Sequence, residues 1–151
     1  MRAVVGATLR SATPADAEAI RDLLERNRLP TADLARSSAE FIVAWADARI
    51  IGTGALERFG SAALLRSVAV ESQWRGSAVG RRIVEELERR ARSAGVKELI
   101  LLTLTAREFF ERLGYAARNR AQVPSAVLAS AEFRSLCPAT AICMRRNLPS
   151  N

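Results

Sequence analysis

Apolar positions recur along the chain in two rhythms. Residues 7–12 alternate (Ala7-Thr8-Leu9-Arg10-Ser11-Ala12) and predict a first strand. Thr13-Pro14-Ala15-Asp16 then carries the marks of a helix start: a capping Thr, Pro at the first helical position and an acid in the first turn. Ala19, Ile20, Leu23 and Leu24 form that helix's apolar stripe, which ends near Asn27, ahead of Pro30. Thr31-Ala32-Asp33-Leu34 predicts a short second helix. The rhythm then shortens to strands at 41–46, 49–58 and 63–71, joined by turns at Asp47-Ala48 and Phe59-Gly60-Ser61, with Gly52 and Gly54 weakening or bending the middle strand. Val79, Ile83, Val84, Leu87, Ala91 and Ala94 repeat at helical spacing, with Glu85, Glu86, Glu88, Arg89, Arg90 and Arg92 facing away and Gly95 as the C-cap. A buried strand follows at 97–103, so strand, helix and strand make a βαβ unit with a right-handed crossover. A short helix at 106–113 closes at Gly114, Tyr115 begins another strand, and a helix at 124–130 precedes a last strand at 139–145. Residues 1–151 thus read as one domain built on a mixed α/β sheet, with no internal repeat and no linker.

Bulk properties narrow this picture. A chain of 151 residues, 49% hydrophobic, buries a real core, and no apolar run approaches the roughly 20 residues that span a bilayer. The first residues do not read as a signal peptide, so a cytoplasmic protein is expected. Net charge is +7, and Lys97 is the only lysine among 23 basic residues. The arginines are interleaved with Glu along the whole chain, whereas a nucleic-acid binder concentrates them on one face, so no nucleic-acid partner is expected. Histidine is absent, which removes the commonest general base and metal ligand. Cys137 and Cys143 are too few and too widely spaced for structural zinc; on an extended strand they would stand roughly 20 Å apart. No metal is expected.

The segment 68–81 carries the chemistry. Val68-Ala69-Val70 is the end of a strand, Arg75-Gly76-Ser77-Ala78-Val79-Gly80 an Arg-Gly turn, and Arg81 lies in the first turn of the helix that follows. Such a junction aims backbone N–H groups and the positive end of a helix dipole at one point, which suits a phosphate. The Gly-Lys-Ser/Thr ending of a P-loop and the full dinucleotide fingerprint are both missing. With its flanks the segment resembles the GNAT superfamily of acyl-coenzyme A N-acyltransferases, whose Arg/Gln-x-x-Gly-x-Gly/Ala signature reads here Arg75-x-x-Ala78-x-Gly80. A second motif of that family matches Ala106-Arg107-Glu108-Phe109-Phe110-Glu111-Arg112-Leu113-Gly114-Tyr115. The resemblance implies a twisted, mostly antiparallel sheet of six or seven strands flanked by helices, and a direct attack of an amine on acetyl-coenzyme A in a ternary complex.

The same resemblance implies roles. The turn from Gly76 through Ser77, Ala78, Val79 and Gly80 to Arg81 would hold the pyrophosphate, with Arg75 beside it. Val68, Ala69 and Val70 would pair with the pantetheine arm as an added strand, and the Val70 N–H would polarise the thioester carbonyl. Ala78 replaces a glycine, and its methyl group is tolerable only at negative φ. Phe110 stands at a cofactor-binding position where many relatives carry a Tyr that protonates the departing thiolate. The thiolate must then leave through water, Tyr115 must substitute, or catalysis is impaired. An amine with a pKa near that of Lys, about 10.4, needs a proton acceptor. Glu57 is the first candidate base and Glu71 the second. The segment from Phe133 to Met144, taken with Gly52 to Glu57 and Leu65 to Glu71, resembles an arsenic-resistance-associated subgroup, which points to a small amino acid or an amine-bearing toxin as acceptor. Arg66, Arg134 and Ser135 are candidates for holding an oxyanion of that substrate. A homodimer through the C-terminal strand is compatible with the pattern. The alternative function is a non-catalytic acyl-coenzyme A sensor.

Overall fold

Eleven elements follow one another in the computed structural model, which describes residues 6–35, 37–136 and 140–149. They are β1 (Thr8–Ser11), α1 (Ala17–Arg26), β2 (Glu40–Ala46), β3 (Arg49–Phe59), β4 (Ala62–Val70), α2 (Val79–Ser93), β5 (Glu98–Thr103), α3 (Arg107–Arg112), β6 (Ala116–Ala117), α4 (Ser125–Leu128) and β7 (Ile142–Asn147). The strands form one seven-stranded sheet in the order β1-β2-β3-β4-β5-β7-β6. Only β4 and β5 run parallel, as expected for the strands that α2 connects. The rest of the sheet is antiparallel.

Each face is covered by different elements. On one face α2 presents Val79, Ile83, Val84, Leu87 and Ala91 to Ala44, Leu56, Ala63, Leu65 and Leu99. Gly52 and Gly54 explain how closely it lies. A Cβ on Gly54 would meet Ile83 at 2.6 Å, and one on Gly52 would meet it at 2.9 Å. These glycines permit contact between helix and sheet, beyond any bend in β3. On the other face α1 packs Ile20, Leu23 and Leu24 onto Val43 and Ala69, while the segment around α4 packs Val123, Val127 and Phe133 onto Leu64, Ile100 and Cys143.

Several sequence expectations are corrected. Residues 31–35 form turns and no helix; Asp33 is spent on a tertiary ion pair with Arg66. The helix expected at 124–130 shrinks to a single turn, followed by a π-helical turn at Glu132–Leu136. Ala19 and Ala94, read as core positions, are exposed. Glu88, read as outward-facing, is buried on the core side of α2. It accepts hydrogen bonds from Tyr115 Oη (2.7 Å) and Arg146 Nη1 (2.9 Å), which satisfy its charge. The left-handed caps at Gly95 and Gly114 stand where the sequence placed them.

Candidate active site

The sheet is opened at its centre. β4 pairs with β5 only from Ala62 to Leu64 (against Glu98 to Ile100). Beyond that, β5 keeps its partner β7 through Leu101, Leu102 and Thr103, while β4 runs on to Val70 without a strand on its β5 side. A bulge supplies the cause. Ala55 pairs with Arg66 and Thr53 with Ala69, so β4 carries an extra residue there, and Ser67 sits at φ +59°. Glu71 N–H donates to the Ile51 carbonyl on β3 at 2.8 Å. Successive strand N–H groups alternate, so those of Val70 and Val68 are directed into the cleft beside β5. These are the main-chain positions expected to clasp an extended arm.

The cleft ends at the N-terminus of α2. Ser77 N–H donates to the Trp74 carbonyl, and Arg82 N–H to the Ala78 carbonyl. Among the described residues the N–H groups of Ala78, Val79, Gly80 and Arg81 find no backbone acceptor. The first turn of this 15-residue helix holds no acid, so its positive end is not offset locally. Arg75 leans over the cleft: its Nε donates to the Val70 carbonyl (3.3 Å) and its Nη2 to Asn27 Oδ1 (2.6 Å). Gly76 adopts φ +80°, where glycine costs nothing.

Ala78 does not meet the condition under which its methyl group is tolerable. It sits at φ +71°, ψ 7°, in the left-handed region and not at negative φ. A non-glycine residue there pays roughly 1–2 kcal/mol of strain. Replacing it by Gly relieves that strain but frees the unfolded chain by about 0.4–1 kcal/mol. Ala78→Gly is therefore expected to stabilise the protein by about 0.5–1 kcal/mol in urea denaturation, and to tighten coenzyme A binding by clearing a methyl group from the turn.

The aromatic motif is displaced by one residue. Phe110 turns into the core at 6% exposure, edge-on to Tyr115 with ring centroids 5.6 Å apart. It is the half-buried ring of Phe109 that borders the cleft: a Cβ on Gly80 would lie 3.3 Å from Phe109 Cζ and 3.7 Å from Val70 Cγ2. Tyr115 cannot replace a missing acid. Its hydroxyl is buried against Glu88, and desolvation, followed by the charge of Glu88, drives its pKa far above the ordinary value.

The candidate bases and substrate ligands separate sharply. Glu71 is held by Arg26 (2.7 Å) and Arg49 (3.1 Å), and the hydrogen bond from Arg26 pulls its pKa below the ordinary range. It ties α1 to β3 and is a poor proton acceptor. Arg66, expected to hold a substrate oxyanion, is fully buried and clamped bidentate on Asp33 at 2.6 and 2.8 Å. It has no face left for a ligand. Arg134 is exposed in the π-helical turn, and the side chain of Ser135 lies outside the described residues, as does Cys137. Cys143 is a buried free thiol whose pKa is raised by burial, in keeping with a core cysteine. Among the described residues no group of His, Cys, Asp or Glu is arranged to hold a metal, and no helix is long and apolar enough to cross a membrane.

Around Arg66 the structure assembles a cluster that spacing alone does not reveal. Glu57 Oε1 lies 3.5 Å from Arg66 Nη1, buried and without a hydrogen-bond partner among the described residues. Glu132 Oε1 lies 3.5 Å from Arg66 Nε, and this nitrogen donates instead to Ser67 Oγ at 3.2 Å. Burial pushes the Glu132 carboxyl up to about 7; Arg66 opposes the rise, and the charges of Asp33 and Glu57 add to it. The cluster lies on the face of β4 opposite α2, at the closed end of the cleft.

A strand parted from its neighbour by a bulge, and running into an unoffset helix N-terminus, suits an extended ligand that ends in phosphate. The family model described as acetyltransferase (GNAT) domain matches residues 37–117, more than half of the chain. An uncharacterized N-acetyltransferase of Chlorobaculum tepidum, CT2212, is 32% identical over 127 residues, 79% of this chain and 81% of that protein. Among solved structures, Rv2747 of Mycobacterium tuberculosis in complex with CoA superposes with a TM-score of 0.79 at 25% identity, over 94% of this chain and 99% of that one. N-acetylglutamate synthase of Neisseria gonorrhoeae, complexed with coenzyme A and N-acetyl-glutamate, gives 0.81 at 20% identity over 95% of this chain. This chain spans only 35% of the synthase's length. The chain belongs to the GNAT acetyltransferase family, and it is an acyl-coenzyme A-dependent acyltransferase.

Proposed function

We propose that this enzyme acetylates the primary amine of a small molecule in the cytoplasm, by direct attack of the amine on acetyl-coenzyme A. The observation that carries this reading is the opened edge of β4, whose Val68 and Val70 N–H groups lead to the free amides of Ala78 to Arg81. The pantetheine arm carries two amide units, so it takes successive cleft-facing positions along β4. Its thioester then lies toward the closed end of the cleft, beside the Arg66 cluster. Val70 or Val68 N–H polarises the thioester carbonyl, and such a donor contributes about 10²–10³ in rate. Gly76 to Arg81 and Arg75 hold the phosphates, and Phe109 flanks the arm. No side chain among those described is placed to protonate the thiolate. Its thiol is comparable with a free Cys thiol, pKa about 8.5, so it leaves by way of water.

Glu57 is the carboxylate best placed to meet the amine, since its side chain reaches both solvent and cluster. Arg134, exposed two residues beyond Glu132, serves a substrate carboxylate. A homodimer through β7, which β6 covers only at Arg145 and Met144, completes the proposal. The test is thiol release from acetyl-coenzyme A over a panel of amino acids, simple amines and amine-bearing arsenicals. At least one member should turn over above the uncatalysed rate. Binding of coenzyme A with no turnover of any member would contradict the small-molecule acceptor.

A further inference from the structure

We propose that Arg75, held in place by Asn27, makes the cleft discriminate between acyl carriers. It occupies a main-chain acceptor that the carrier's arm needs, and a carrier that brings phosphate draws it away. The enzyme therefore prefers coenzyme A to a phosphate-free pantetheine by more than the phosphate contacts alone supply. This rests on the placement of the arm along β4.

The contested acceptor is the carbonyl of Val70. Glu71 N–H bonds to Ile51 on β3, so the N–H and the carbonyl of Val70, one residue earlier, both turn away from β3 and into the cleft. An arm that joins this edge as a strand takes the Val70 N–H and gives an amide N–H to the carbonyl. Arg75 Nε already donates to that carbonyl, at 3.3 Å.

The guanidinium is anchored from its other side. Arg75 Nη2 donates to Asn27 Oδ1 at 2.6 Å. Asn27 stands at the C-terminus of α1, where its Nδ2 donates to the Leu23 carbonyl at 2.9 Å. This second bond orients the amide so that its oxygen meets Arg75. The helix end is itself well fixed. Arg28 turns the chain at φ +59°, and the N–H groups of Arg28 and Leu29 close back on the carbonyls of Glu25 and Leu24. Arg26 pairs with Glu71 at 2.7 Å, which straps the same end of α1 beside Val70.

Phosphate releases Arg75. Beyond these two bonds, the other guanidinium N–H groups find no acceptor among the described residues. Arg75 directly precedes the turn that leads to the amides of Ala78 to Arg81, which lack backbone acceptors. A phosphate at this turn offers charged oxygens in exchange for the neutral ones of Asn27 and Val70, and charge-assisted bonds are roughly twice as strong. Coenzyme A brings that phosphate. Pantetheine does not, and must displace Arg75 unaided. Asn27 carries no charge, which leaves its hold weaker than that of a phosphate.

The test measures the affinity of two probes, coenzyme A and pantetheine, by backbone amide NMR titration of wild type, Asn27→Ala, Asn27→Asp and Arg75→Met. Asn27→Ala should tighten pantetheine by about 3–10-fold, the worth of one hydrogen bond that no longer has to be broken, and should not weaken coenzyme A. Arg75→Met should tighten pantetheine by a similar factor while it weakens coenzyme A. Asn27→Asp should weaken both, and salt should reduce the loss. A damaged helix cap does not produce a gain in affinity, so the sign of the pantetheine change separates this role from a structural one. Pantetheine affinity unchanged or lowered in either Asn27→Ala or Arg75→Met would overturn the inference. So would weaker coenzyme A binding by Asn27→Ala, which would make Asn27 a support that presents Arg75 to the phosphates. If the Val68 and Val70 amides of wild type respond to neither probe, the placement of the arm along β4 itself falls.

Discussion

Replacing Arg66 by Met is expected to destabilise the protein by about 3–5 kcal/mol near pH 8, as removal of one partner from a buried ion pair typically does. The guanidinium has no exposed surface, and it faces the carboxylates of Asp33, Glu57 and Glu132. Met fills a similar volume but removes the bidentate partner of Asp33 and the guanidinium beside Glu57 and Glu132. The pH dependence follows from the same charges. Arg66 opposes the rise of the buried Glu132 carboxyl, so without it that carboxyl holds its proton still more strongly in the folded than in the unfolded chain, and lowering the pH toward 5 recovers stability. Urea denaturation at pH 5 and pH 8 measures the difference. In a domain of this size a loss of 3–5 kcal/mol lowers the melting temperature by roughly 6–20 °C. Arg58→Met is the control. Arg58 pairs with Glu40 at 2.7 Å, but both side chains are 49% exposed, so the loss there is expected to stay below about 1 kcal/mol. Equal losses at the two sites would mean that the cluster is solvated and carries no special electrostatics.

Replacing Val70 by Pro is expected to lower kcat/KM for acetyl transfer by about 10²–10³-fold while the fold persists. Proline removes one N–H, and at this position that N–H is directed into the cleft and away from β3. The ladder bond from Glu71 N–H to the Ile51 carbonyl is untouched, and Ala69 before it already has the extended backbone that a following proline demands. Steady-state kinetics then divide the effect. A fall confined to kcat assigns Val70 to the thioester carbonyl; a rise confined to KM makes Val70 a holder of the arm and gives the carbonyl to Val68. A variant of unchanged kcat/KM would mean that the cofactor does not use this edge of β4.

Local patterns were legible in the chain wherever neighbouring residues decide the outcome. The α2 stripe from Val79 to Ala91, the βαβ crossover and the caps at Gly95 and Gly114 all follow from spacing, and the structure retains them. What escaped depends on long-range partners. Glu88 looked like a surface acid because its neighbours in sequence are charged, yet Tyr115 and Arg146, 27 and 58 residues away, draw it inward. Asp33 suggested a helical turn until Arg66, 33 residues on, anchored it. Glu132 gave no signal, since a π-helical turn leaves no periodicity and its companions come from three distant segments. Ala78 is instructive in a different way. The glycine pattern of the turn was recognised, but the positive φ that makes glycine useful there is visible only in the backbone. The junction of β4 and α2, built from consecutive main-chain groups, was thus readable. The Arg66 cluster, built from side chains drawn from across the chain, was largely not.

The central claim is that the parted edge of β4 and the turn into α2 clasp coenzyme A through main-chain N–H groups. The most direct measurement is a coenzyme A titration followed by backbone amide NMR. The amides of Val68, Val70 and the stretch 76–81 should shift together with a single affinity, while those of α1 and β1 stay in place. Shifts confined to other segments, or none at millimolar coenzyme A, would contradict it.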